Sequence, residues 1–335
     1  MLESHTLEKP LSLPVSGFPT INADQLVEEE ELPDYQADRF YPVRLGEVFQ
    51  NRYQILAKLG YGSSSTTWLA RDLGAHRYVA LKVYVHTSLV HRELPFYHHI
   101  APRIANGNSH KGQENIRRML DSFDVVGPHG KHVILVFEPA QMSLRDMKLV
   151  FRPDGFDEDF VRGAITELLQ AVDFLHSHGE VVHTDIHPGN MLLGVQDNNL
   201  LKALEEKEFS SPVPRKPISE SSSRTIYLSR LMRPKEGPML LSDFGEVRIG
   251  PGPHARDITL CGMELSRGYL ECWLDGNWLS LAPIPDNRTI ETLETQLENK
   301  TEFLRFLRRS LTWMPEKRAT AKKLLQDPWL TGKKL

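Results

Sequence analysis

Cysteine is scarce in this chain: its 335 residues include two, Cys261 and Cys272, and neither belongs to a close pair or to a cysteine–histidine spacing. That excludes a disulfide framework and a structural zinc site of the usual spacing. It points to a reducing, intracellular setting, with the cytoplasm, the nucleus or both expected. Long apolar runs are also missing, since none approaches the roughly 20 residues needed to cross a bilayer. The opening segment, MLESHTLEKP, has neither a basic leader nor an apolar signal core. A basic excess is absent as well: 44 acidic residues against 40 basic ones give a formal net charge of −4. General attraction to nucleic acid or to an anionic membrane surface is therefore excluded, and binding must come from local sites.

With 40% apolar and 25% charged residues, the composition is that of a globular protein. The length suits one large bilobal unit or two modest domains. Residues 1–45 hold five prolines and an acidic run, Glu28 to Glu31, without a sustained apolar period. This reads as a tail laid over or trailing from a domain, with little independent structure. From Tyr53 the segments YQILAKL, TTWLARD and YVALKVYV, separated by glycine turns, predict an antiparallel strand meander. Val90, Leu94, Tyr97 and Ala101 predict one helix before residue 102, with Pro95 favouring a late start. HVILVFEP reads as a buried strand that Pro139 ends. The clearest helix is DEDFVRGAITELLQAVDFLHSHG, in which Val161, Ile165, Leu168, Val172 and Leu175 form one stripe behind an acidic first turn. Residues 195–238 read as an inserted loop containing the helical LKALEEKEF, prolines at 212, 214 and 217 and a serine run. The expected fold class is therefore α+β, with residues 46–140 forming an antiparallel β lobe. A mainly helical lobe would follow over 141–258, containing the insert, and continue over 259–335.

Three motifs carry chemistry. Leu59-Gly60-Tyr61-Gly62-Ser63-Ser64-Ser65-Thr66-Thr67 is a glycine turn between strands, where backbone N–H groups can approach phosphate oxygens; by itself it is also an ordinary hairpin turn. Val79-Ala80-Leu81-Lys82 resembles the V-A-I-K strand whose lysine pairs with α- and β-phosphates, against the alternative of an exposed strand lysine. Ala80 and Lys82 share a strand face, and the glycine turn folds over that face. Glu93 on the following helix is the expected partner of Lys82, against a solvated helix charge. The third motif, His183-Thr184-Asp185-Ile186-His187-Pro188-Gly189-Asn190, matches H-x-D-x-x-x-x-N and is followed by Ser242-Asp243-Phe244-Gly245. Asp185 fits a carboxylate that orients an attacking hydroxyl and accepts its proton. Asn190 and Asp243 fit the oxygen ligands that magnesium takes beside phosphates.

On these residues the chain resembles the eukaryotic protein kinases, and among them the SR-protein-kinase-like serine/threonine kinases, particularly short fungal members. LGYGSSSTTWLARDLGAHRYVALKVYV, HTDIHPGNMLLG, RTIYLSR and LSDFGEVRIG carry the resemblance. It implies a bilobal kinase fold, ATP and Mg²⁺ as cofactors, and transfer to hydroxyls of arginine/serine-rich proteins such as splicing factors, in mRNA processing. It also implies Phe137 as the bulky residue behind the adenine, which would face the Glu138 carbonyl and the Ala140 N–H. No membrane or direct nucleic-acid partner is implied.

The sequence departs from that family at four places. Ser65 and Thr67 stand where the family pattern has glycine and valine, so weaker nucleotide affinity is expected. Thr184 replaces the arginine that meets a phosphorylated activation loop in many kinases, which implies activity without that switch. His187 replaces a lysine that steadies the transferring phosphoryl group. Finally, only 318 − 243 = 75 positions separate Asp243 from Arg318. No A-P-E-like triplet and no long core helix lies between them, so the helical lobe is expected to be incomplete, with the join at Ile258 and Thr259. Arg318 is then expected to lack its partner glutamate, at a cost of about 3–5 kcal/mol if buried. Besides a shortened form of an active kinase, two alternatives stay open: a nucleotide-binding pseudokinase scaffold and a destabilised fragment.

Overall fold

The computed structural model describes residues 7–87, 93–105, 109–217, 224–251, 273–274, 277–278, 289–293, 297–312 and 315–332. The join at Ile258, the triplet-free stretch after it, both cysteines and Val90 lie outside the described residues. The chain divides into two compact units. One gathers residues 1–94, 117–142 and 193–238; the other gathers 95–116, 143–192 and 239–335.

In chain order the first strands are β1 (Val48–Phe49), β2 (Tyr53–Tyr61), β3 (Ser65–Asp72) and β4 (Arg77–Tyr84). Helix α1 (Glu93–Ala105) comes next, followed by β5 (Met119–Val126) and β6 (Lys131–Phe137). The six strands form one antiparallel sheet in the order β1-β2-β3-β4-β6-β5. Side chains alternate across it. Val79, Leu81 and Val83 of β4 enter a core with Ile55, Trp68, Ile134 and Val136, while Ala80, Lys82 and Tyr84 point to the other face. Helix α1 starts at Glu93 despite Pro95, because proline in a first helical turn removes an N–H that has no partner there.

Residues 193–238 belong to this unit, not to the helical one where the sequence placed the insert. After β7 (Ala140–Ser143), α2 (Leu144–Phe151), α3 (Glu158–Phe174), β8 (Val181–Val182) and β9 (Met191–Gly194), the insert supplies α4 (Asn199–Ser210). A hairpin of β10 (Arg215–Pro217) and β11 (Thr225–Tyr227) completes it. Leu201 and Leu204, three apart and so on one helix face, bury against Leu56, Leu69 and Met232. Val213 and Tyr227 join the sheet's main core.

Of the two arrangements expected of the N-terminal segment, it takes the one laid over a domain, against its own unit. Its acidic run is a short helical turn whose carboxylates meet cations from β2 and the insert. Lys58, 1% exposed, bonds Glu29, which also takes Arg224 at 2.6 Å. Lys216 reaches Glu30 at 2.8 Å, and Ser229 donates its N–H and O–H to Glu28 at 2.7 and 2.6 Å.

In the second unit α3 is the central helix. Asp157 caps it by accepting the Phe160 N–H at 2.8 Å, and Glu158 and Asp159 face the positive end of its dipole. Leu169 and Val172 pack against Phe306 of α5 (Lys300–Ser310) and against Ala321, Leu324 and Trp329. A Cβ on Gly112 would lie 1.8 Å from the Gln170 carbonyl, so only glycine permits the 111–115 turn to lie on α3. Arg318 is the residue expected to lack its partner glutamate. Arg318 is half-buried and donates Nε–H to the Thr312 carbonyl at 3.0 Å, so the local turn takes up part of what the sequence counted as a loss.

Candidate active site

Each unit carries one group of the residues singled out in the sequence. In the first, the glycine turn joins β2 to β3 and is closed by Gly62 N–H donating to the Ser65 carbonyl at 2.8 Å. A Cβ on Gly60 or Gly62 would meet no atom within 4 Å, and neither residue has a positive φ. Packing and backbone conformation therefore do not require glycine at either place, whereas approach of a phosphate to bare backbone would. Leu59 and Tyr61 flank Gly60 on β2, while Ser63 and Ser64 form the bend. Ser65 and Thr66 are buried at the start of β3, where Thr66 accepts the Trp68 indole N–H at 2.9 Å. Thr67 lies opposite Lys82 across the β3–β4 ladder.

Lys82 Nζ reaches Glu93 Oε2 at 2.8 Å, with the carboxylate 2% and the lysine 12% exposed. The structure thus brings together the pair that spacing had only suggested. Tyr84, two residues along the same face, donates its hydroxyl to the same Oε2. Sequence reasoning missed it, although the period of two places it beside Lys82. Phe137 ends β6 fully buried, with the Arg117 guanidinium 4.4 Å from its ring centre. The Glu138 N–H donates to the Arg118 carbonyl at 3.2 Å, and Ala140 opens β7.

In the second unit, Asn190 Nδ2 donates to the Asp185 carboxylate at 3.1 Å and to the Asp185 carbonyl at 3.0 Å. With its nitrogen so engaged, Asn190 is left to offer its amide oxygen, a hard donor of the kind magnesium takes. Asp243 adopts φ +61 and Thr184 φ +67, conformations that cost non-glycine residues about 1–3 kcal/mol each. Thr184 Oγ1 donates to the Glu246 carbonyl at 2.6 Å, and Ser242 N–H to the Asn190 carbonyl at 2.9 Å, which ties the two loops together. Phe244 is fully buried and stacks on Phe96 of α1, 3.9 Å between centres, with His183 on another side at 5.0 Å. His187 accepts the Gly189 N–H at Nδ1 across 3.0 Å, which leaves the ring proton on Nε2, 3.6 Å from Asp185 Oδ2.

Comparison with known proteins agrees with this geometry. The protein kinase domain family matches residues 53–204. A serine/threonine protein kinase of Aspergillus fumigatus is 33% identical over 388 aligned residues, covering 94% of this chain and 93% of the relative. Since 388 − 335 = 53, at least that many aligned positions hold no residue of this chain. Human SRSF protein kinase 3 is 30% identical over 59% of this chain, which spans 36% of that protein. A crystal structure of a kinase domain is similar in fold, with a TM-score of 0.58 at 17% identity, over 87% of this chain and 99% of the other. None of these relatives favours the scaffold alternative. This chain belongs to the eukaryotic protein kinases, as a serine/threonine kinase of the SR-protein-kinase-like group.

Proposed function

We propose that this kinase transfers the γ-phosphoryl group of ATP to serine hydroxyls in arginine/serine-rich proteins. The carrying observation is the Asn190–Asp185 pair, in which the amide nitrogen holds the carboxylate in place. On this reading the backbone of the glycine turn and Lys82, held by Glu93, bind the phosphates, while the Glu138 carbonyl and the Ala140 N–H bind adenine. Asn190 and Asp243 would hold magnesium, which would neutralise phosphate charge there. Asp185 orients the serine hydroxyl: its oxygen forms the new bond to phosphorus, the bond from phosphorus to the ADP oxygen breaks, and the hydroxyl proton passes to the Asp185 carboxylate. The substrate class is supported by the name of the human relative, an SRSF protein kinase.

The test is label transfer from γ-labelled ATP to an arginine/serine-repeat peptide, beside an alanine/serine-repeat peptide of equal serine content. Label confined to the first is the expected result. Equal labelling of both would remove the substrate assignment, and labelling of neither would remove the activity.

A further inference from the structure

Glu93 is 1% exposed, and its Oε2 receives two donors, the Lys82 ammonium at 2.8 Å and the Tyr84 hydroxyl. The Tyr84 ring also faces the ammonium, with Nζ 5.0 Å from its centre, inside the range of a cation–π contact. Lys82 therefore sits between a carboxylate and the face of a ring that itself grips that carboxylate. The ring is held in turn: Tyr84 is 3% exposed and lies opposite Ser65 across the ladder. Its carbonyl accepts the His132 Nδ1–H at 2.8 Å.

We infer that Tyr84 is a positioning residue for the nucleotide, acting through Glu93 on Lys82; the inference rests on the phosphate-binding role proposed for Lys82. A buried carboxylate is retained in its charged form only when its oxygens are well supplied with donors. The Tyr84 hydroxyl gives Oε2 a second donor beside the ammonium, so the Glu93 carboxylate, and through it Lys82, is held in one place. The device needs no phosphorylation, which suits a chain with Thr184 in the position where many kinases carry the arginine that meets a phosphorylated loop.

The experiment uses Tyr84→Phe in the full chain, which keeps the ring and removes only the hydroxyl. Calorimetry with a non-hydrolysable ATP analogue and magnesium reads affinity, and a melt without nucleotide reads folding. Affinity is expected to fall about five- to tenfold, the scale of one ordinary hydrogen bond acting through a second residue, with KM for ATP rising in parallel and kcat changing less. In a Glu93→Gln background the same substitution is expected to cost little further affinity, because the carboxylate it supports is gone. Unchanged affinity with a lower melting temperature would overturn the proposal, as would an equal loss in the Glu93→Gln background. A wild-type chain that binds the analogue but transfers nothing fails the proposed function, while the Tyr84 comparison can still be read. A wild-type chain that binds no nucleotide overturns both.

Discussion

Asn190 gives its side-chain amide to the Asp185 carboxylate across 3.1 Å, five positions back along the chain. The bond fixes which way the carboxylate faces and which end of the amide remains for a metal. Asn190→Ala removes both, and kcat is expected to fall about a hundredfold or more, the scale on which a positioned acid–base group contributes. Asn190→Asp sets a second carboxylate beside the first and is expected to do no better. Steady-state kinetics at saturating ATP and magnesium check both variants.

The second prediction concerns stability. Lys58, Glu29 and Arg224 are each under 10% exposed and share one set of ion pairs. Glu29→Gln removes the carboxylate that Lys58 and Arg224 share, leaving Lys58 its second contact, to Glu28 at 3.2 Å. Chemical denaturation is expected to show a loss of about 3 kcal/mol, as when one partner of a buried pair is removed. A change under about 1 kcal/mol would show that water screens the network.

The third concerns His187. Its Nδ1 accepts the Gly189 N–H where the resembling family carries a lysine, so His187→Lys is expected to raise kcat about three- to tenfold. Unchanged or lower kcat in this variant, with nucleotide affinity retained, would show that the imidazole is already the better group here.

The fourth is a pH effect. Burial holds the His132 imidazole below its usual pKa of 6.5, and the neighbouring His86 and His129 act in the same direction. The unfolded chain therefore binds a proton that the folded one refuses, and stability is lost as pH falls through about 6.5 toward the lower folded value. Burial moves Glu167 the other way, above 4.5, so its contribution to stability is lost as pH rises past that value. Melting temperatures between pH 7.5 and 5.5 are expected to fall in the wild type and to fall less in His132→Gln.

Several parts of this account were legible in the sequence because they are local. Ala80 and Lys82 share a face by the period of two, and the stripe from Val161 to Val172 lies on the buried side of α3 by the period of 3.6. The catalytic loop sits within eight residues, so its order and chemistry can be read together. What was not legible depends on distant partners. The acidic run looks solvated until Lys58, 29 positions away, and Arg224, 195 positions away, are brought to Glu29. The insert's place with the sheet rests on Leu201 and Leu204 meeting Leu56 and Leu69, which no local period reveals. Arg318 finds the Thr312 carbonyl only once the turn between them exists.

Transfer of label from γ-labelled ATP to an arginine/serine-repeat peptide, by wild type and by Asp185→Ala at equal nucleotide occupancy, tests the central claim most directly. Steady incorporation into serine by wild type, reduced about a thousandfold or more in Asp185→Ala, is the predicted result. Equal incorporation by the two proteins, or none by either, would contradict it.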